Sequence, residues 1–221
     1  MERLLKGYAR FTSEVYPREK SIYDQHVAEQ HPIALVITCS DSRVIPEQIL
    51  QCTPGDIFLC RNPGNMVPPY GELLGGVSAT IEYAVLALEV RNIVILGHSD
   101  CGAMKGVLRP ELTTDMPTVS SWLRHGDAAR RITRENYQNL AEEKMLEVLT
   151  AENVLAQIEN LRTHPSVAAR LARGQMDLHA WTFHLKTGKL HAFDVDRGRF
   201  LELDGSTLPR ATPKPRRVVT V

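Results

Sequence analysis

The sequence predicts an α/β fold: a mostly parallel central sheet flanked by helices, with an N-terminal helical arm and a C-terminal edge strand or hairpin. Short apolar runs at 33–38 (IALVIT), 57–60 (IFLC) and 93–96 (IVIL) each open onto a polar or glycine-bearing loop, as buried strands do. Between the second and third runs, Val77, Ile81, Val85 and Leu88 repeat at helical steps, so helix separates strand from strand and the strands should run parallel. A chain of 221 residues, 43% hydrophobic, suffices for one domain with a real core and is short for two.

Taken in order, Leu4, Tyr8, Phe11 and Val15 form an amphipathic stripe. It predicts a first helix ending near Pro17, because proline removes a backbone donor. A second short helix is expected from about Glu19 to Gln30. Together these make residues 1–30 an arm for dimerisation, followed by an α/β domain over 31–208. From 127 to 174 the pattern is helical, with Val154, Ile158 and Leu161 on one face and His164-Pro165 interrupting it. Residues 178–203 return to strand character, with turns at KTGK and DRGR, and read as an edge hairpin or meander. The proline- and cation-rich stretch 209–221 is expected to be an extended tail.

Lys plus Arg and Asp plus Glu number 26 each, and no long basic run precedes the tail. The sequence therefore predicts no nucleic-acid partner and no membrane attachment. MERLLKGYARF alternates charge with apolar residues where a signal peptide needs an unbroken apolar stretch, so a cytoplasmic chain is expected. In that setting the four cysteines, Cys39, Cys52, Cys60 and Cys101, are expected as thiols or thiolates.

Cys39, His98 and Cys101 lie just after two expected strands, where an open α/β sheet gathers its ligands. Two thiolates and an imidazole suit zinc, and three protein ligands leave the fourth tetrahedral position free, as a catalytic site requires. Asp41 and Arg43 follow within CSDSR. A bidentate guanidinium pair would hold Asp41 ionised and turned away from the metal; the alternative is that Asp41 caps the helix beginning near Pro46.

CSDSR, RNPGNMVPPYG, SATIEYAVLAL and GHSDCGAMKG occur in the order and at the spacings of the β-class carbonic anhydrases, and the chain resembles most the plant and cyanate-operon branch. The resemblance implies reversible hydration of carbon dioxide to bicarbonate by attack of zinc-bound hydroxide. It implies Cys39, His98 and Cys101 as zinc ligands, with Asp41 and Arg43 as the catalytic dyad. Gly102 would lend a backbone amide, Phe58 and Tyr83 would line an apolar pocket, and Gln30 would reach the substrate across a dimer interface. A homodimer, or a tetramer or octamer built from it, is the implied assembly. In some relatives a Trp, an Arg and a Tyr bind a second bicarbonate, and Asp moves onto the metal in a closed state. The matching positions here are Val36, Arg61 and Phe183, so the dyad is expected to stay paired. Two rivals remain at the level of sequence: a carbonyl sulfide or carbon disulfide hydrolase on the same scaffold, and a non-catalytic zinc or redox module.

Overall fold

The structure is a computed structural model of the chain and describes residues 1–72, 75–206 and 208–209. The expected tail lies outside them beyond position 209. The chain begins with α1 (Glu2–Arg10), a wide π turn (Phe11–Val15) and α2 (Tyr16–His26), which follow one another as a single helical rod. Here the structure corrects the expectation of a break at Pro17. The π turn widens the backbone just before the proline, which falls in the first turn of α2, where its missing N–H and its ring cost little. None of the rod's residues is buried. Leu4, Leu5 and Tyr8 are each about two-thirds exposed, at 67%, 64% and 67%.

The body then runs β1 (Ala34–Cys39), α3 (Pro46–Ile49), β2 (Ile57–Asn62), α4 (Gly76–Leu86), β3 (Asn92–His98), α5 (Gly102–Leu108), α6 (Pro117–Leu123), α7 (Asp127–Asn136), α8 (Glu142–Thr163), α9 (Pro165–Ala172), β4 (Asp177–His184), β5 (Lys189–Asp194) and β6 (Arg199–Glu202). The six strands form one sheet in the order β2-β1-β3-β4-β5-β6. Its first four strands are parallel and its last two antiparallel, as the alternating pattern and the late turns predict. Pro165 ends α8 and opens α9, the position in a helix where proline loses least.

Two features of this topology position the site. The chain leaves β1 towards β2 on one side and leaves β3 towards β4 on the other, so the carboxyl ends of β1 and β3 form a switch-point crevice. The main core packs Leu35, Ile37, Ile93 and Ile95 against Val154, Ile158 and Leu161 of α8. That helix sits so close to the end of β3 that a Cβ on Gly97 would meet Val154 Cγ2 at 2.6 Å. Only glycine admits such an approach. It brings the polar face of α8 within reach of the loop that follows β2. No described helix is long and apolar enough to cross a membrane.

Candidate metal centre

Parallel pairing of Leu35–Thr38 with Ile93–Leu96 draws the ends of β1 and β3 together. Cys39 ends β1, His98 ends β3, and Cys101 directly precedes α5. Their ligand atoms all lie within 4.8 Å of one another, and the two sulfurs are 3.8 Å apart. All three residues are buried. Among the described residues they form the one such His/Cys/Asp/Glu group.

The protonation chemistry of this cluster fits a cation. His98 Nδ1 lies 2.9 Å from the Ser99 carbonyl, which places the ring proton there and leaves the Nε2 lone pair facing the sulfurs. Nε2 is buried without a hydrogen-bond partner among the described residues. The Cys101 thiol donates to Cys39 and, with the neighbouring His98 ring and the Gly64 N–H at 3.4 Å, holds Cys39 down to about 4. The same shared proton, and burial, push Cys101 up. One proton thus bridges two sulfurs where a divalent ion would deprotonate both. A donor set of two sulfurs and one unpartnered nitrogen suits a borderline metal such as zinc.

Asp41 lies beside the cluster but faces Arg43. Its Oδ1 accepts from the Arg43 backbone N–H at 3.0 Å and from Nε at 2.9 Å, and its Oδ2 accepts from Nη2 at 2.7 Å. His98 Nε2 is 3.9 Å from Oδ2. Asp41 does not cap α3, which begins after Ile45 with no side-chain cap. The Arg43 hydrogen bonds hold the Asp41 carboxyl well below the usual carboxylate range and raise Arg43 in return.

A family model described as carbonic anhydrase matches residues 34–190, the span that carries every residue of this cluster. The chain belongs to the carbonic anhydrase family. A carbonic anhydrase of Synechococcus elongatus is 44% identical over 191 residues, covering 86% of this chain and 70% of its own. The solved β-carbonic anhydrase CcaA superposes with a TM-score of 0.90 at 42% identity, covering 93% of each chain, which places this carbonic anhydrase in the β class. Tetrameric β-carbonic anhydrases of Sordaria macrospora superpose with a TM-score of 0.75 at 27% identity, over 94% of this chain and 98% of theirs.

The expected pocket residues of this carbonic anhydrase do not all gather at the cluster within one chain. Gly102 does, as the exposed first residue of α5 beside Cys101. Phe58 pairs with Leu35, four residues before the Cys39–Asn62 pair, and so sits roughly 13 Å down the strand. It stacks on Tyr83 with ring centroids 5.9 Å apart. Gln30 and Tyr83 line a separate surface depression with His26 and Leu88.

Asp100 and Lys105, which sequence reasoning left out, support the Asp41–Arg43 pair. Arg43 Nη1 donates to the Asp100 carboxylate at 2.9 Å and Nη2 to the Asp100 carbonyl at 3.1 Å, while Lys105 pairs with the same carboxylate. Asp100 lies between His98 and Cys101 in sequence, and that proximity to two residues of the cluster is the available signal. Arg61 donates from Nε to the Cys39 carbonyl at 3.1 Å and from Nη2 to the Asp41 carbonyl at 2.7 Å. It braces the backbone between Cys39 and Asp41 from β2.

Because the folded-state value of Asp41 is depressed, the pair stabilises the fold above the ordinary carboxylate pKa near 3.9. That contribution fades as pH falls below it towards the lower folded value. The Asp41 carboxyl resonance, assigned with Asp41→Asn, should therefore stay that of a carboxylate from pH 9 down to about 4. A titration midpoint within that interval would contradict the pairing.

Proposed function

We propose that this chain catalyses the reversible hydration of carbon dioxide to bicarbonate and a proton, with zinc held by Cys39, His98 and Cys101. The observation that carries this reading is the buried cluster whose His98 Nε2 has no hydrogen-bond partner among the described residues, set beside a carboxylate already engaged by Arg43. Bound zinc supplies the Lewis acidity that makes water a nucleophile near neutral pH.

The protein's residues supply the rest. Asp41, kept ionised by Arg43, is an acceptor only; it takes a hydrogen bond from the attacking water and aims the oxygen lone pair at the carbon of the substrate. Arg43 holds that carboxylate off the metal, and Asp100 and Lys105 hold Arg43. The Gly102 N–H donates to a bicarbonate oxygen as charge develops there. Gln30 would donate to another from the second subunit of a homodimer, and Phe58 and Tyr83 would form the apolar wall of the site from that same subunit. Their distance from the cluster within one chain supports this exchange, as do the exposed Leu4, Leu5 and Tyr8 and the tetrameric state of the Sordaria enzymes. The four cysteines are free, which supports a cytoplasmic setting.

Purified protein should hydrate carbon dioxide at a rate that rises through roughly pH 7 to 9, lose activity to a zinc chelator and regain it with added zinc. Asp41→Asn should lower kcat/KM by about 10- to 100-fold. A rate that is flat over that range or indifferent to chelation would contradict zinc catalysis; full activity on carbonyl sulfide alone would favour the sulfur hydrolase.

Deleting residues 1–30 should expose apolar surface, dissociate the dimer and remove Gln30 from its partner's site. Sedimentation of the truncated protein with an activity assay checks this: a soluble monomer with full activity would refute the exchanged arm.

A further inference from the structure

Gly64 contributes its N–H to Cys39 Sγ at 3.4 Å, and the two peptides flanking it are both gripped from outside the loop. The Pro63 carbonyl, in the same peptide plane as that N–H, accepts from Trp122 Nε1 at 2.8 Å. The Gly64 carbonyl accepts from Asn153 Nδ2 of α8 at 3.1 Å. Gly64 has φ +78°, and a Cβ there would lie 3.1 Å from each of Ala103 Cβ, Met104 Cε and Met66 Cε. The loop is thus in a conformation and a space that favour glycine.

Asn153 has no freedom to turn over. It is 1% exposed, and its Oδ1 accepts from Gln157 Nε2 at 3.0 Å. Gln157 is fixed in turn, since its Oε1 accepts the Val67 N–H at 2.8 Å and its Nε2 also donates to the His125 carbonyl at 3.1 Å. Each amide orientation is set by a backbone group of known polarity, so the Asn153 NH2 is the end that faces Gly64.

We propose that Trp122 and Asn153 are positioning residues for the metal centre: together they aim the Gly64 N–H at the Cys39 sulfur and so fix its placement and its donor strength towards zinc. This rests on Cys39 being a zinc ligand. Trp122 acts through the peptide itself, because a donor on the Pro63 oxygen polarises the Gly64 N–H that faces the sulfur. Asn153 acts by holding the next peptide, so that the turn cannot rotate the N–H away. Outer partners of this kind set ligand orientation and metal electronics elsewhere. The alternative is that both side chains only pack the loop.

Cobalt-substituted protein separates the two. An N–H bond to sulfur lowers the energy of its filled orbitals, so losing it should move the sulfur-to-cobalt charge-transfer absorption to longer wavelength. Trp122→Phe, which keeps a ring against His125 at a partly buried position, and Asn153→Ser should both show this shift. Both should also weaken zinc binding, read by chelator competition, by about 10- to 100-fold. An unmoved band in the folded variants would overturn the proposal, even where affinity falls, because loose packing alone leaves sulfur electronics unchanged. In wild-type protein loaded with an NMR-active cadmium isotope, the Gly64 amide proton should show scalar coupling to the metal through sulfur; its absence overturns the proposal without any variant. A wild-type cobalt protein with no such absorption would overturn the metal reading itself.

Discussion

Two sulfur atoms 3.8 Å apart, both buried, cannot both carry charge unless a cation lies between them. Burial disfavours each thiolate, and each disfavours the other. Without a metal the pair compromises on one shared proton, with Cys39 driven down and Cys101 driven up. Much of the surrounding architecture serves to place this otherwise unfavourable pair. The β1–β3 register delivers Cys39 beside His98, Gly97 admits α8 against the end of β3, and the Gly64 N–H faces Cys39.

Charge outside the sulfur pair is ordered around Arg43. Its guanidinium joins Asp41 at the end of β1 to Asp100 at the end of β3, so one side chain ties together the two loops that flank the Cys39, His98 and Cys101 cluster. Charge-assisted, bidentate bonds of this kind are short and directional. They give Asp41 a partner that it would have to leave before reaching the metal position. Arg61 adds two bonds to backbone carbonyls on either side of Ser40, which engage two of the five N–H donors of its guanidinium. Val36 and Phe183, at the positions matched to the bicarbonate-binding Trp and Tyr of some relatives, belong to an apolar cluster on the sheet.

The sheet and the metal cluster were legible in sequence for the same reason. Buried parallel strands announce themselves as unbroken apolar runs, and residues at their carboxyl ends converge by topology. Cys39, His98 and Cys101 are therefore recognisable from position as well as type. The helical rod was misread at Pro17 because a π turn is a one-residue adjustment with no compositional mark. Asp100, Trp122 and Asn153 were missed because their contacts with Arg43, Pro63 and Gly64 join residues 57 to 89 apart in sequence. Nothing local in the chain encodes which carbonyl a distant side chain will meet. The expectation for Gln30, Phe58 and Tyr83 rests on resemblance to relatives, because within one chain Gln30 and Tyr83 line a separate depression and Phe58 pairs with Leu35, down the strand from Cys39.

We propose that zinc sits on two sulfurs and one nitrogen while Asp41 stays with Arg43. A crystal structure near pH 8 with data collected at the zinc edge tests it most directly. The expected result is an anomalous peak bonded to Cys39, His98, Cys101 and a solvent molecule or small anion, with the Asp41–Arg43 pair intact. An Asp41 oxygen at roughly 2.0–2.2 Å from the metal in every subunit, with Arg43 released, or a peak elsewhere in the chain, would contradict it.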